Sequence, residues 1–239
     1  MKRLLFMLML IPLFGIAQKN VVTANRVFPK VDKVLEFEKA LATHAQKYHT
    51  GDWKWRVYEI SSGPDAGGYH IAEGPDSWEQ LDTRGNLGDE HNNDWNKNVT
   101  IYLTDRGSSS YSVYQDSLST VALGSYSDKI QISHWFPKIG WANKTRDLLR
   151  MMRATWMVTN ENIAVYASSG SGPTQYSIVT RYKTGLKERA MVPGSPSFKE
   201  NFEKANGSNS WDTYLEILRN YVESSWSELL MYRADLSSK

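Results

Sequence analysis

The 239-residue chain has no cysteine. That excludes disulfides, thiolate metal sites, a thiol nucleophile and a cysteine-linked lipid. An exported chain of this kind must be held together by its core, and 41% apolar residues supply enough material to bury. Blocks of five or more basic residues are also missing, so neither nucleic acid nor an anionic membrane is indicated as a partner. No glycine-rich phosphate loop follows a strand pattern, because "GPDAGG" (63–68) falls in a turn between two strands. Long hydrophobic runs are confined to the first residues, so no membrane span is expected beyond them.

What is present begins with that leader. Lys2 and Arg3 precede an uncharged run from Leu4 to Ala17, too short for the roughly 20 residues of a spanning helix. Gly15, Ile16 and Ala17 are spaced as an export peptidase requires, so residues 1–17 are read as a removed signal peptide. The remaining chain carries 26 basic and 26 acidic residues and is formally neutral. It is expected to be a soluble periplasmic or extracellular protein.

An internal repeat sets the architecture. "RVFPKV" (26–31) returns as "HWFPKI" (134–139), and "VYEISSGPDAGGYHI" (57–71) returns as "VYASSGSGPTQYSI" (165–178). Trp95–Ser112 aligns with Trp211–Ser227. Three blocks in the same order imply a duplication, with repeats at 18–122 and 123–239. Within each, an extended segment ends at a proline and a helix follows, marked by Val34, Phe37, Leu41, Ala45 and Tyr48 in the first copy. A hairpin, a second helical stripe and a last strand starting at "SSYSVY" or "SSWSELLMY" complete the unit. Segment 183–210, with "VPGSPS", reads as an irregular surface excursion.

The order strand-helix-strand-strand-helix-strand, twice, is that of the ferredoxin-like βαββαβ unit. One face of such a sheet is left bare, and two copies can cover both by facing each other. The arrangement resembles the dimeric α+β-barrel superfamily, of the antibiotic-biosynthesis-monooxygenase type, as a fused single chain. The resemblance implies an α+β fold in which two antiparallel sheets close a pseudo-dimeric barrel with helices outside. It further implies small-molecule binding in or beside the barrel, and a monomer with internal pseudo-symmetry. No catalytic motif of that superfamily is matched, so no residue role is carried over and no reaction is assigned.

Strand alternation nominates side chains. Trp53, Trp55 and Val57 share a face with their apolar counterparts Ile163, Val165 and Ala167, so that face should lie under the helices. Arg56 and Tyr58, with Tyr166, should then point into the barrel. Arg26 and His134 occupy equivalent places before the Phe-Pro-Lys corners, and His70 lies on a neighbouring strand whose inward face is not determined by the pattern. These six residues are the ligand-binding candidates. A histidine among Tyr and Arg could act as a general base or orient an anion, or the Tyr and Arg residues could pair and seal the barrel. No metal or other cofactor is called for: His44 and His49 are five apart and do not share a helix face, and "DEHNND" (89–94) reads as a solvated helix start. The competing function is a non-catalytic envelope protein with a filled barrel, contacting a partner near Trp78, Trp141, Phe198 or the 183–210 excursion.

Overall fold

A computed structural model describes residues 18–190 and 192–239. The expected signal peptide lies outside the described residues. The elements run β1 (Val21–Pro29), α1 (Val34–Tyr48), β2 (Trp55–Ile60), β3 (Tyr69–Asp76), α2 (Trp78–Thr83), α3 (Asp89–Asp94) and β4 (Leu103–Tyr114). They continue with β5 (Lys129–Pro137), α4 (Ala142–Thr159), β6 (Ile163–Ser168), β7 (Tyr176–Arg181), α5 (Phe198–Asn206), α6 (Ser210–Tyr221) and β8 (Val222–Tyr232).

The strands close an antiparallel barrel in the order β1-β3-β2-β8-β5-β7-β6-β4 and back to β1. Both halves of the chain lay down their four strands in the same spatial order. Their registers agree as well. Arg26 faces His70, which faces Tyr58 on the next strand; in the other half His134 faces Ser177, which faces Tyr166. Each half carries a register shift at the end of its first strand, at Val27/Pro29 and at Phe136/Pro137. The Phe-Pro-Lys corner thus stands where each first strand leaves the sheet, since proline cannot donate to a continuing ladder.

Two short seams join the halves. One pairs Tyr58–Ile60 with Leu230–Tyr232, the other Ser112–Tyr114 with Tyr166–Ser168, three residue pairs each. The β2–β3 hairpin reinforces the first seam: Ser61 donates its N–H to the Leu229 carbonyl, and Leu229 donates to Ser62 Oγ.

Helices cover the barrel from outside. Phe37, Leu41 and Ala45 of α1 are fully buried against Trp55, Val57, Tyr69 and Ile71. Leu148, Leu149, Met152 and Trp156 of α4 pack on Ile163, Val165, Tyr176 and Ile178. Each Leu, Ile, Val, Phe or Met side chain among them contributes roughly 1.5–3 kcal/mol on burial. The α4 helix stops at Asn160, which takes the left-handed conformation (φ 57°) that asparagine tolerates.

Two expectations need correction. The 183–210 segment is not wholly irregular: Ser197 and Glu200 form a capping box that starts α5, and α5 plants Phe202 fully buried in the core. The last strands also begin earlier than "SSYSVY" and "SSWSELLMY" suggest, at Leu103 and Val222. Among the described residues, no helix is long and apolar enough to cross a membrane.

Candidate functional site

Alternation along β2 sends Trp55 and Val57 outward under α1, and Arg56 and Tyr58 inward. The neighbouring strands follow from the register, so His70 with Ala72 and Ser177 with Val179 also face inward. The interior is not filled. A cavity of about 370 Å³ opens there, and all six sequence-nominated residues line it. Its apolar wall comes from Ala24, Ala72, Ile130, Ile132 and Val179. Exposed Ser108, Ser109 and Gly172 lie at its rim, where β4 runs past its ladder with β6.

The six residues do not form one constellation. Arg26 and His134 belong to a buried network at one side of the cavity. Arg26 is ion-paired with Glu228 through both of its terminal nitrogens, one at 2.9 Å, and reaches Asp65 at 2.6 Å. His134 donates from Nε2 to Glu228 at 2.9 Å and accepts at Nδ1 from the Gln175 amide at 2.5 Å. Trp226 stacks on the His134 ring with centroids 3.9 Å apart. Both imidazole nitrogens are therefore occupied, and His134 serves as a wall rather than as a free base. Burial pushes the Glu228 carboxyl up, but hydrogen bonds and charge from His134 and Arg26 outweigh it and hold it at about 2. Burial, with help from the Arg26 charge, pushes His70 down to about 3, so its imidazole is neutral at neutral pH.

The opposite side is aromatic and cationic. Arg181 donates to the carbonyls of Ala122, Leu123 and Ser125, tying down the loop that closes this end, and to Tyr166 Oη at 2.8 Å. Tyr166, accepting from Arg181, keeps its own proton free to donate into the cavity. Tyr58 donates to the Ser127 carbonyl at 3.2 Å, and burial pushes its hydroxyl up to about 12. Arg56, half-buried, differs from Arg26 and Arg181. Its guanidinium lies 3.5 Å from the centre of the Tyr126 ring and makes only a long hydrogen bond to the Gly74 carbonyl, 3.4 Å. Among the described residues it has no carboxylate partner.

Arg and Tyr do pair at this end, Arg56 stacked on Tyr126 and Arg181 bonded to Tyr166, yet the pairs leave the interior unfilled. Glu228, Gln175, Arg181 and Tyr126 escaped the sequence reading. Glu228 sits in "SSWSELLMY", whose alternation puts Trp226, Glu228 and Leu230 on one face; only the β5–β8 register brings that face to His134.

The histidines dismissed as ligands lie elsewhere, on the outer face of the sheet. His49 caps the end of α1, and its ring swings back to within 5.3 Å of the His44 ring, centroid to centroid. His91 of α3 is not simply solvated: its Nε2 lies 3.4 Å from His49 Nε2. Separation in sequence misled here because the second residue stands outside the helix.

No family model and no curated protein matches the sequence. The fold does have solved counterparts. The chain is similar to an anthrone oxidase-like protein (TM-score 0.59, 13% identity, 90% of this chain and 92% of that one). It is similar also to a candidate monooxygenase from Lactobacillus acidophilus NCFM (TM-score 0.51, 8% identity, 93% and 97%). A mutant chlorite dismutase from Candidatus Nitrospira defluvii aligns comparably (TM-score 0.53, 8% identity, 90% and 92%). These likenesses show a shared fold, the closed antiparallel barrel with helices outside.

Proposed function

We propose that the barrel binds a small organic anion with a flat apolar body, its charged group on Arg56 and its body between Tyr126 and the aliphatic wall. The observation that carries this is Arg56 itself. A half-buried guanidinium with no carboxylate and one long hydrogen bond keeps N–H donors that an anionic ligand can engage. Arg181, Arg26 and Glu228 are satisfied within the protein, whereas Arg56 rests on the Tyr126 ring and makes, among the described residues, only one long hydrogen bond. The Tyr166 hydroxyl supplies a second directed donor, and a cavity of about 370 Å³ suits one small molecule. Barrels named for anthrone oxidation and monooxygenation support an aromatic or phenolic substrate class.

The repeated blocks, the shared strand order and the matched registers support a tandem duplication of two ferredoxin-like units at 18–122 and 123–239. Fusion supplies the second sheet internally, so the protein acts as a monomer. The basic, apolar and small-residue pattern of residues 1–17 supports export.

Calorimetric titration with 1-naphthoate and with its uncharged alcohol analogue tests the binding reading. Naphthoate should bind with one-to-one stoichiometry, the alcohol at least tenfold more weakly. Arg56→Met should remove most of that preference, since a charge-assisted hydrogen bond contributes about 1.5–3 kcal/mol. Cavity-filling Ala72→Phe should abolish binding of both. Naphthoate affinity unchanged in Arg56→Met and Ala72→Phe would refute the site.

A further inference from the structure

We propose that His44, His49 and His91 form a three-histidine site for a divalent transition metal of the zinc class, on the outer face of the sheet beneath α1. One ring nitrogen from each lies within 4.8 Å of the other two. His49 Nε2 and His91 Nε2 stand 3.4 Å apart. Two nitrogens bound tetrahedrally to zinc at about 2.05 Å are separated by about 3.3 Å. Two neutral imidazole nitrogens at this distance gain one weak hydrogen bond at best, whereas a cation between them satisfies both.

The other ring nitrogens are already held as metal-bound histidines require. His44 Nδ1 donates to Asp94 at 2.7 Å, and His49 Nδ1 to Glu73 at 3.3 Å. Asp94 is fixed in turn by Asn98, and Glu73 by Trp55 and Arg84. His44 Nε2 is the independent sign of a missing partner. The residue is fully buried, and this nitrogen has no hydrogen-bond partner. A buried, unpaired polar atom of this kind costs roughly 1–3 kcal/mol, a cost that coordination removes.

The other half of the molecule shows what this layer looks like without such a role. Trp55 faces Glu73 in the β2–β3 ladder, and the equivalent pair is Ile163 with Thr180. Met152, 108 residues beyond His44, is plain core beside Trp156. Where one half closes with methionine and isoleucine, the other assembles three imidazoles with carboxylates behind two of them. Packing alone does not require that substitution.

Three ligands leave a fourth position open. It faces a cleft of about 390 Å³ bordered by Arg84, Asn86 and Asn92, so a water or a small anion can complete the shell. This cleft lies across the sheet from the barrel cavity, and the proposal does not depend on the reading of Arg56.

Imidazole ¹⁵N spectra of the unaltered chain test the site directly, with zinc as the only probe. The chain has five histidines. One equivalent of zinc should shift the Nε2 signals of His44, His49 and His91 and leave His70 and His134 in place. Cobalt(II) should bind one per chain with the intense visible bands of a four-coordinate ion. His91→Ala, on a short partly exposed helix, should weaken cobalt binding at least about a hundredfold; Asp94→Asn, a positioning change, about ten- to a hundredfold. No one-to-one binding to the folded chain, shifts in other histidines, or unchanged affinity in His91→Ala would overturn the proposal.

Discussion

Arg26 and Glu228 come from strands of different halves and meet inside the barrel with His134 and Asp65 around them. A buried pair adds little net stability over apolar residues, but removing one partner strands the other. Arg26→Met should therefore destabilise by about 3–5 kcal/mol in urea unfolding. The same network sets an acid limb. The Glu228 carboxyl is held at about 2 against an ordinary value of 4.5, so its contribution is complete above pH 4.5 and is lost as pH falls toward 2. Because the carboxyl is almost fully buried, that contribution is of order 3 kcal/mol. His70, kept neutral down to about pH 3, adds an earlier loss that begins below 6.5, where the unfolded chain takes up a proton and the folded chain does not. Urea midpoints measured from pH 8 to 3 should fall in two stages. A flat profile across that range would contradict the buried network.

At the scale of elements, the β2–β3 hairpin is one of the contacts that close the barrel. Gly63 has φ +92°, and a Cβ there would lie 2.9 Å from both the Ser227 carbonyl oxygen and Glu228 Cβ. Gly63→Ala should force the hairpin off β8 and lower the unfolding midpoint markedly, whereas Gly172→Ala, at a hairpin tip with open space around it, carries only its positive-φ strain. Equal effects of the two would show that the hairpin contact is unimportant. Local patterns foretold much at this scale. The β2 face with Trp55 and Val57 has a wholly apolar counterpart in the repeat, and that was enough to orient Arg56, Tyr58 and Tyr166. Inward placement of His70 was not legible, since β3 alternates without a clear apolar face. Glu228 and Gln175 were missed because their roles depend on which strand lies beside β5. The α5 helix was legible after all, in the Ser197–Glu200 box, but the surrounding Gly and Pro residues masked it. The three outer histidines come from the end of α1 and the separate short helix α3, and only the fold brings them together.

At the scale of the whole molecule, each half exposes the inner face of its sheet unless the other covers it. Two three-pair seams hold the halves, and the apolar cluster of Tyr58, Ile60, Ile132, Val179 and Leu230 and the Arg26–Glu228 pair also span them. Residues 18–122 or 123–239 produced alone should fail to form a stable monomer, and light scattering should show self-association; equimolar mixing should recover a one-to-one complex. The most direct test of the barrel as a binding chamber is a crystal structure grown with 4-bromobenzoate, using bromine anomalous scattering to find the ligand. The bromine peak should fall inside the barrel, with the carboxylate on Arg56 and the ring against Tyr126. A bromine found only on the outer surface, with the barrel interior holding nothing but protein and solvent, would contradict the account.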